Sequence, residues 1–343
     1  MADNMTCTLF NGDQFKCNVV IALKRTTGSL SLIGCIFMIA TIWLFRKYNI
    51  LSQRLILYLS IAALLDTIGY LMGDMTPDGP QCDFEAWWLT YFDWTVLMWV
   101  SCLTFNLFFN VVMQRRTERF EKLYHLLCWI VPPFLLSLLP LIGDNYGPAG
   151  AWCWIKHDSM AWRFVIWYVP LFLTILGLFV TYFYIIFFLR RKLGSWQGNY
   201  DPATERDNLQ IKDDIKVLKA YPFVYLILSI FPLILRIHNA FSAEGDDVYA
   251  LWILTALTAP LQGAVNAVVF GLDPDTRSKL TWAHIQLAWA SHFNRSAIRE
   301  YPTVAGSTVN LSQEVPDFNS LPNDDADVVR RNSAERRYGS MPP

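Results

Sequence analysis

Among the side chains with acid, base or amide chemistry inside long apolar runs, five lie at mid-depth or nearer the outside. They are Asp66 in YLSIAALLDTIGY, Asp93 in WWLTYFDWTVL, Arg236 and His238 in LILRIHNAF, and Gln262 in APLQGAVNAV. Such groups are expensive in hydrocarbon, so their presence there marks a relay, a pathway or a ligand site. Asp66 is about twelve residues and Gln262 about nine from the inner ends of their runs, which puts both near mid-depth. They can share a polar network with Asn266 that rearranges between two states; the alternative is a static interhelical hydrogen bond worth ~0.6 kcal/mol. Asp93 falls about three turns below Cys82, and Arg236 under about two turns from the outer end of its run, with His238 just above it. An Asp93–Arg236 pair at pocket depth is an element that an entering ligand would bias. Against it stands an Arg236 that snorkels to the interface and pairs with Glu244.

The elements that position these groups follow from composition. Hydrophobic residues make up 54% of the 343 and charged residues 17%, against about a quarter charged in a soluble domain. Seven runs at about 26–46, 55–73, 84–113, 123–142, 161–189, 216–242 and 249–271 are each near the ~20 residues that cross a bilayer as a helix. Backbone polar groups in lipid must be satisfied within the segment, and no alternating barrel pattern is present. The expected fold is an all-α membrane protein, a seven-helix bundle with an amphipathic eighth helix. The segments are about 1–25 outside, 26–271 as the bundle, 273–293 as the interfacial helix and 294–343 as a disordered inner tail. Asp273 suits an N-cap and Pro274 the first helical turn, followed by Trp282, Ile285, Trp289 and Phe293 at helical spacing.

Basic residues concentrate in alternate connections: Arg46, Lys47 and Arg54; then Arg115, Arg116, Arg119 and Lys122; then a stretch containing Lys216 and Lys219. The other side carries Lys16, Lys24, Arg25, Lys156 and Arg163 among a majority of acids. The positive-inside rule therefore places the amino terminus outside and the carboxyl terminus in the cytoplasm of a multi-pass plasma-membrane protein. The opening residues lack the layout of a cleaved signal, so the first helix serves as its own insertion signal. Asn4 lies in a glycosylation sequon on the outside. Ser333, in RRNS, fits a basophilic kinase site.

Four cysteines, Cys7, Cys17, Cys82 and Cys153, fall in the oxidising compartment, and Cys35, Cys102 and Cys128 within helices. Four cysteines allow three connectivities. Cys82 opens the third run and Cys153 is central in the loop over the bundle mouth, which favours Cys82 with Cys153 and Cys7 with Cys17. Trp152 and Trp154 flank Cys153 in AWCWI, either as ligand contacts or as members of the interfacial aromatic belt.

GPAGAWCWI, LYHLLCWIVP, LKAYPF, LRIHNAF and LQGAVNAVVFG together resemble the cyclic-AMP-receptor-like family of G-protein-coupled receptors, over roughly residues 26 to 280. The resemblance implies the Cys82–Cys153 bond and a receptor that senses an extracellular small molecule and activates a heterotrimeric G protein through movement of the sixth helix. Partners would be the G protein, membrane lipid, an unidentified small-molecule ligand, and receptor kinase or arrestin-like proteins at the tail, with no nucleic acid. Arg115, Arg116, Arg119, Lys216 and Lys219 would form the inner coupling face. Relatives carry an aspartate where this chain has Ala63, and Asp66 comes one turn later. Neither cofactor nor metal is expected. The seventh run has no lysine to hold retinal, and the histidines are too scattered for a metal-dependent enzyme. The competing reading is a seven-helix transporter or scaffold without nucleotide-exchange activity.

Prolines locate the joints: Pro132, Pro133 and Pro140 in the fourth run, Pro170 in the fifth, Pro222 and Pro232 in the sixth, and Pro260 in the seventh. Each frees a carbonyl one turn earlier and can bend its helix. Pro232, one turn from Arg236, is the expected hinge of helix six.

Overall fold

A computed structural model of the chain describes residues 9–73, 77–113, 115, 117–156, 158–195, 220–241 and 248–293. The calls at Asn4, Cys7, Arg116, Lys216, Lys219, Glu244, Ser333 and the tail 294–343 lie outside the described residues. Among the described residues seven helices are long and apolar enough to span a bilayer: α1 Gln14–Leu44, α2 Leu51–Met72, α3 Pro80–Met113, α4 Glu118–Leu141, α5 Met160–Phe188, α6 Ala220–Asn239 and α7 Tyr249–Leu272. Bulky apolar side chains such as Ile33, Leu135, Leu173 and Phe183 point outward from the bundle, as a lipid-facing surface requires.

Helix α1 starts well before the hydropathy boundary, so residues 14–25, read from sequence as part of the outer segment, are helical. Asp13 caps it, accepting from the amides of Phe15 and Lys16. Lys24, counted in the sequence among the outer-loop charges, is wholly buried. Its Nζ donates to the carbonyls of Gly73 and Ala151, and it lies in the field of Glu85. Hydropathy breaks at a lysine, whereas a helix continues through it once the ammonium finds acceptors.

Where prolines interrupt the helices, side chains of neighbouring helices take up freed backbone groups. Pro260 removes the amide that would bond the Ala256 carbonyl, and α7 tightens to a 3-10 turn over Ala259–Leu261. The Thr27 hydroxyl of α1 lies 2.9 Å from that carbonyl. Ser31, one turn on, donates to the Pro260 carbonyl and accepts from the Ala264 amide, entering the ladder itself. In α4, Pro133 frees the carbonyl of Trp129, which accepts from the Tyr91 hydroxyl of α3 at 2.6 Å. Wide π-helical turns over Leu126–Ile130 and Arg163–Tyr168 precede Pro132 and Pro170. α6 breaks at Ser229, three residues before Pro232, into Ala220–Leu228 and Ile230–Phe241.

Beyond α7 the expected single interfacial helix is two: α8 Pro274–Lys279 and α9 Trp282–Phe293. Leu280 leaves the helical conformation and Thr281 starts the next helix through its carbonyl to Ile285. Asp273 does cap α8, accepting from Thr276. Lys47 holds α8 to the end of α1 through Asp275 at 3.0 Å and Thr276 at 2.7 Å. Burial works to raise the Asp275 carboxyl, but hydrogen bonds from Lys279 and Lys47 override it and keep it below the ordinary range; burial itself pulls Lys47 down. His292 of α9 stacks on Trp43 at 4.3 Å, and Trp282 stays exposed.

The α1–α7 seam gives a test. A Cβ on Gly263 would fall 2.5 Å from the Cys35 sulfur, whereas one on Gly177 meets nothing within 4 Å. Gly263→Ala is expected to destabilise by about 1–3 kcal/mol. Gly177→Ala should be neutral or gain up to about 1 kcal/mol from helix propensity. Thermal unfolding of the two variants in detergent measures the difference, and equal midpoints would mean that the helices do not approach so closely.

Candidate functional site

The outer end of the bundle is roofed by a short hairpin, β1 Tyr146–Pro148 antiparallel to β2 Cys153–Ile155, with Gly147 opposite Trp154 and Pro148 opposite Cys153. Gly150, at φ +95, makes the turn where a side chain would strike Trp252. Cys153 is bonded to Cys82 at the start of α3, with their Cα atoms 5.3 Å apart, so the favoured pairing is formed. Cys17 is also in a disulfide. The Tyr146 hydroxyl donates to the Ser137 carbonyl of α4, and the Arg163 guanidinium donates twice to the Ile155 carbonyl at 3.0 and 2.7 Å. The hairpin is thus tied to α3, α4 and α5 at once.

The two tryptophans around Cys153 are buried and turn inward. Arg236 of α6 lies over the Trp154 ring, its guanidinium carbon 3.8 Å from the centroid, and 5.7 Å from that of Trp152. Arg163 approaches Trp154 at 5.3 Å. The cation therefore stays at pocket depth, supported by ring faces. No ion pair within 4.0 Å among the described residues joins Arg236 to Asp93; the direct Asp93–Arg236 contact expected from sequence is replaced by the tryptophan stack, although Asp93 still lies within the electrostatic reach of Arg236. Cation–π support outlasts burial better than an exposed pair, and it leaves the carboxylate facing the cavity.

Below this roof a cavity of about 700 Å³, its open mouth included, runs between α2, α3, α5, α6 and α7. Asp66, Asp93, Trp152, Arg236 and Gln262 line it together, so the structure brings five of the sequence-derived residues to one place. Asp66 and Asp93 are within interaction range of each other. Asp66 is buried and its Oδ1 has no protein partner among the described residues; neither have Gln262 Nε2 and Thr255 Oγ1 on the same walls. His238 is absent from the lining, Trp154 stands behind Arg236, and Asn266 lies deeper, buried, with its side-chain oxygen unpartnered. Asn106, about two turns above the inner end of α3, accepts from the Thr117 hydroxyl.

Sequence reasoning missed Tyr70, Trp167, Tyr225 and Thr255. On α6 a signal existed: Tyr225, Ser229, Pro232 and Arg236 are spaced by four, three and four residues, one helical face, and all line the cavity. At the inner end, Arg115 and Arg119 are exposed, the latter against Phe120. A bidentate pair of Arg54 with Glu121, at 2.7 and 2.8 Å, joins α2 to α4.

Comparison with known proteins came to the same place from another direction. The family described as Slime mold cyclic AMP receptor matches residues 13–270. "G-protein coupled receptor 1" of Arabidopsis thaliana is 27% identical over 76% of this chain and 80% of its own length. "Cyclic AMP receptor-like protein A" of Dictyostelium discoideum is 23% identical over 72% of this chain and 62% of its own. The structure of squid rhodopsin superposes with a TM-score of 0.61 at 14% identity, covering 88% of this chain and 93% of that one. That last likeness is one of fold.

The roof generates a test by double-mutant cycle. Arg236→Gln and Trp154→Leu should be non-additive in thermal stability, with a coupling of about 1–2 kcal/mol. The cycle of Arg236→Gln with Asp93→Asn should couple more weakly. The opposite ranking would restore the direct ion pair.

Proposed function

Because this chain belongs to the slime mold cyclic AMP receptor family, a group of seven-helix membrane receptors, we propose that it senses a small molecule from outside the cell and activates a heterotrimeric G protein through movement of α6. The amino terminus faces outward at the plasma membrane, with Arg115, Arg119 and the basic approach to α6 on the cytoplasmic side. One observation carries the reading. The break of α6 at Ser229, its cause Pro232, and Arg236 one turn above all open on the same cavity. Occupation of the cavity therefore acts directly on the joint of the helix that must move.

Asp66, Gln262 and Asn266 belong to this reading as the polar network beneath the ligand. The network needs no gain in stability to serve as a switch; it needs two arrangements that a ligand distinguishes. Arg236, Asp93 and Trp152 form the upper contacts, with Trp154 setting the position of Arg236. Some relatives are named for cyclic AMP. In this cavity the one guanidinium is already against tryptophan and two carboxyl groups stand below it, which disfavours an anionic nucleotide.

The full-length chain reconstituted in lipid nanodiscs should accelerate guanine-nucleotide exchange by a heterotrimeric G protein. Pro232→Ala, which restores the helical ladder, should lower that acceleration severalfold without loss of folded protein. The pair Arg115→Gln and Arg119→Gln should do the same. Exchange no faster than with empty discs, both alone and across a screen of small metabolites, would return the chain to the transporter or scaffold alternative. Undiminished exchange in Pro232→Ala would remove the hinge from the mechanism.

A further inference from the structure

From the charge and ring content of the cavity we infer that its ligand is a small organic cation carrying a hydroxyl or carbonyl group. This rests on the receptor reading of the same cavity and names the chemistry it selects. Arg236 is the one basic side chain among the described lining residues, and it is committed to the upper wall, on the faces of Trp154 and Trp152. Asp93 lies within its electrostatic reach. Asp66, deeper, hydrogen-bonds the Asp93 carboxyl group and keeps one oxygen for the cavity. It is buried with 8% of its surface exposed, and its Oδ1 accepts nothing from the protein.

A buried carboxylate in a low-dielectric bundle calls for a cation or a strong donor. Around it stand the rings of Tyr70 and Tyr225, surfaces that favour ammonium groups. The roof already holds one cation on ring faces in Arg236, so this wall chemistry is in use in the same cavity. Gln262 Nε2, a buried donor without a protein partner, asks for an acceptor on the occupant. Thr255 Oγ1 can donate or accept beside it. Ammonium toward Asp66 and oxygen toward Gln262 and Thr255 satisfies all three walls with one small molecule. A phosphate or carboxylate would bring its negative charge against two carboxyl groups in a site with a single guanidinium.

Choline is a suitable probe, with 3,3-dimethyl-1-butanol as its uncharged isostere and cyclic AMP as the anionic comparator. Thermal stabilisation of the full-length receptor in nanodiscs should rise with choline concentration. The isostere and cyclic AMP should have little effect. Asp66→Asn should weaken the choline effect by about tenfold or more, while Asp78→Asn on the outer surface should leave it unchanged. Equal stabilisation by the isostere, stabilisation by cyclic AMP alone, or no response to choline and to a panel of primary and quaternary ammonium ions would overturn the inference. The contrast on the unmutated chain decides it even where Asp66→Asn fails to fold. Because binding is read without a G protein, its failure is separable from that of the receptor reading: a choline shift without accelerated exchange sinks the latter, and exchange driven by an anion sinks the former.

Discussion

Inside hydrocarbon a carbonyl that loses its amide partner has no water to turn to, and this constraint organises the bundle. Every proline within a span creates such a group one turn earlier. At Pro260 the remedy is a pair of α1 hydroxyls, Thr27 and Ser31, that enter the ladder of α7. Close approach follows, since a hydroxyl can reach a neighbour's backbone only where the helices nearly touch, and Gly34 and Gly263 supply the missing side chains at that seam. At Pro133 the remedy is the phenol of Tyr91. These two breaks are clamped. At the break before Pro232 no side chain of another helix bonds the Leu228 carbonyl among the described residues, and this break lines the cavity. The joints at Pro260 and Pro133 are thus tied to a neighbouring helix, and the one at Pro232 is not.

The outer end is fixed by other means. A disulfide holds the hairpin to α3, Arg163 holds it to α5, Tyr146 to α4, and Lys24 brings α1 to the carbonyls of Gly73 and Ala151. Trp154, standing on this assembly, then offers a ring whose position hardly varies. The outer half of α6 is anchored on that ring through Arg236, so displacement at the cavity has less freedom above Ser229 than below it. The disulfide thus acts on α6 without touching it, through two tryptophans and a guanidinium.

Much of this was legible in the sequence, and the reasons differ by feature. Seven spans follow from composition, because hydrocarbon thickness fixes their length. The disulfide followed from topology, since only one outer loop must cross the bundle mouth. The joint at Pro232 followed from chemistry carried by a single residue. The early start of α1 did not, because hydropathy responds to Lys16, Lys24 and Arg25 whereas the helix responds to the cap at Asp13. The gap between α8 and α9 was equally hidden: Leu280 and Thr281 have no strong breaker between them. The Arg236–Trp154 stack joins residues 82 positions apart, counted from their numbers in the chain, and no period in either segment announces it. Charge counting offered aspartate as the partner because opposite charge is the simplest answer; burial made the ring face the better one.

The arrangement of charge in the cavity separates two jobs that one residue could not do together. A cation locked in an ion pair with Asp93 would neutralise the site and hold α3 to α6, leaving a ligand little to change. With Arg236 supported by rings instead, Asp66 keeps an unpartnered oxygen toward the cavity, while α6 is still tethered at its outer half. A ligand that supplies charge or donors to that oxygen gains interactions that the empty protein does not possess. It gains most in whichever arrangement of α6 brings the face of Tyr225 and Ser229 closest to Asp66. A differential interaction of that kind is the physical requirement for shifting a two-state equilibrium. On the proposed reading, one proline, one arginine and two carboxyl groups along the same cavity supply it.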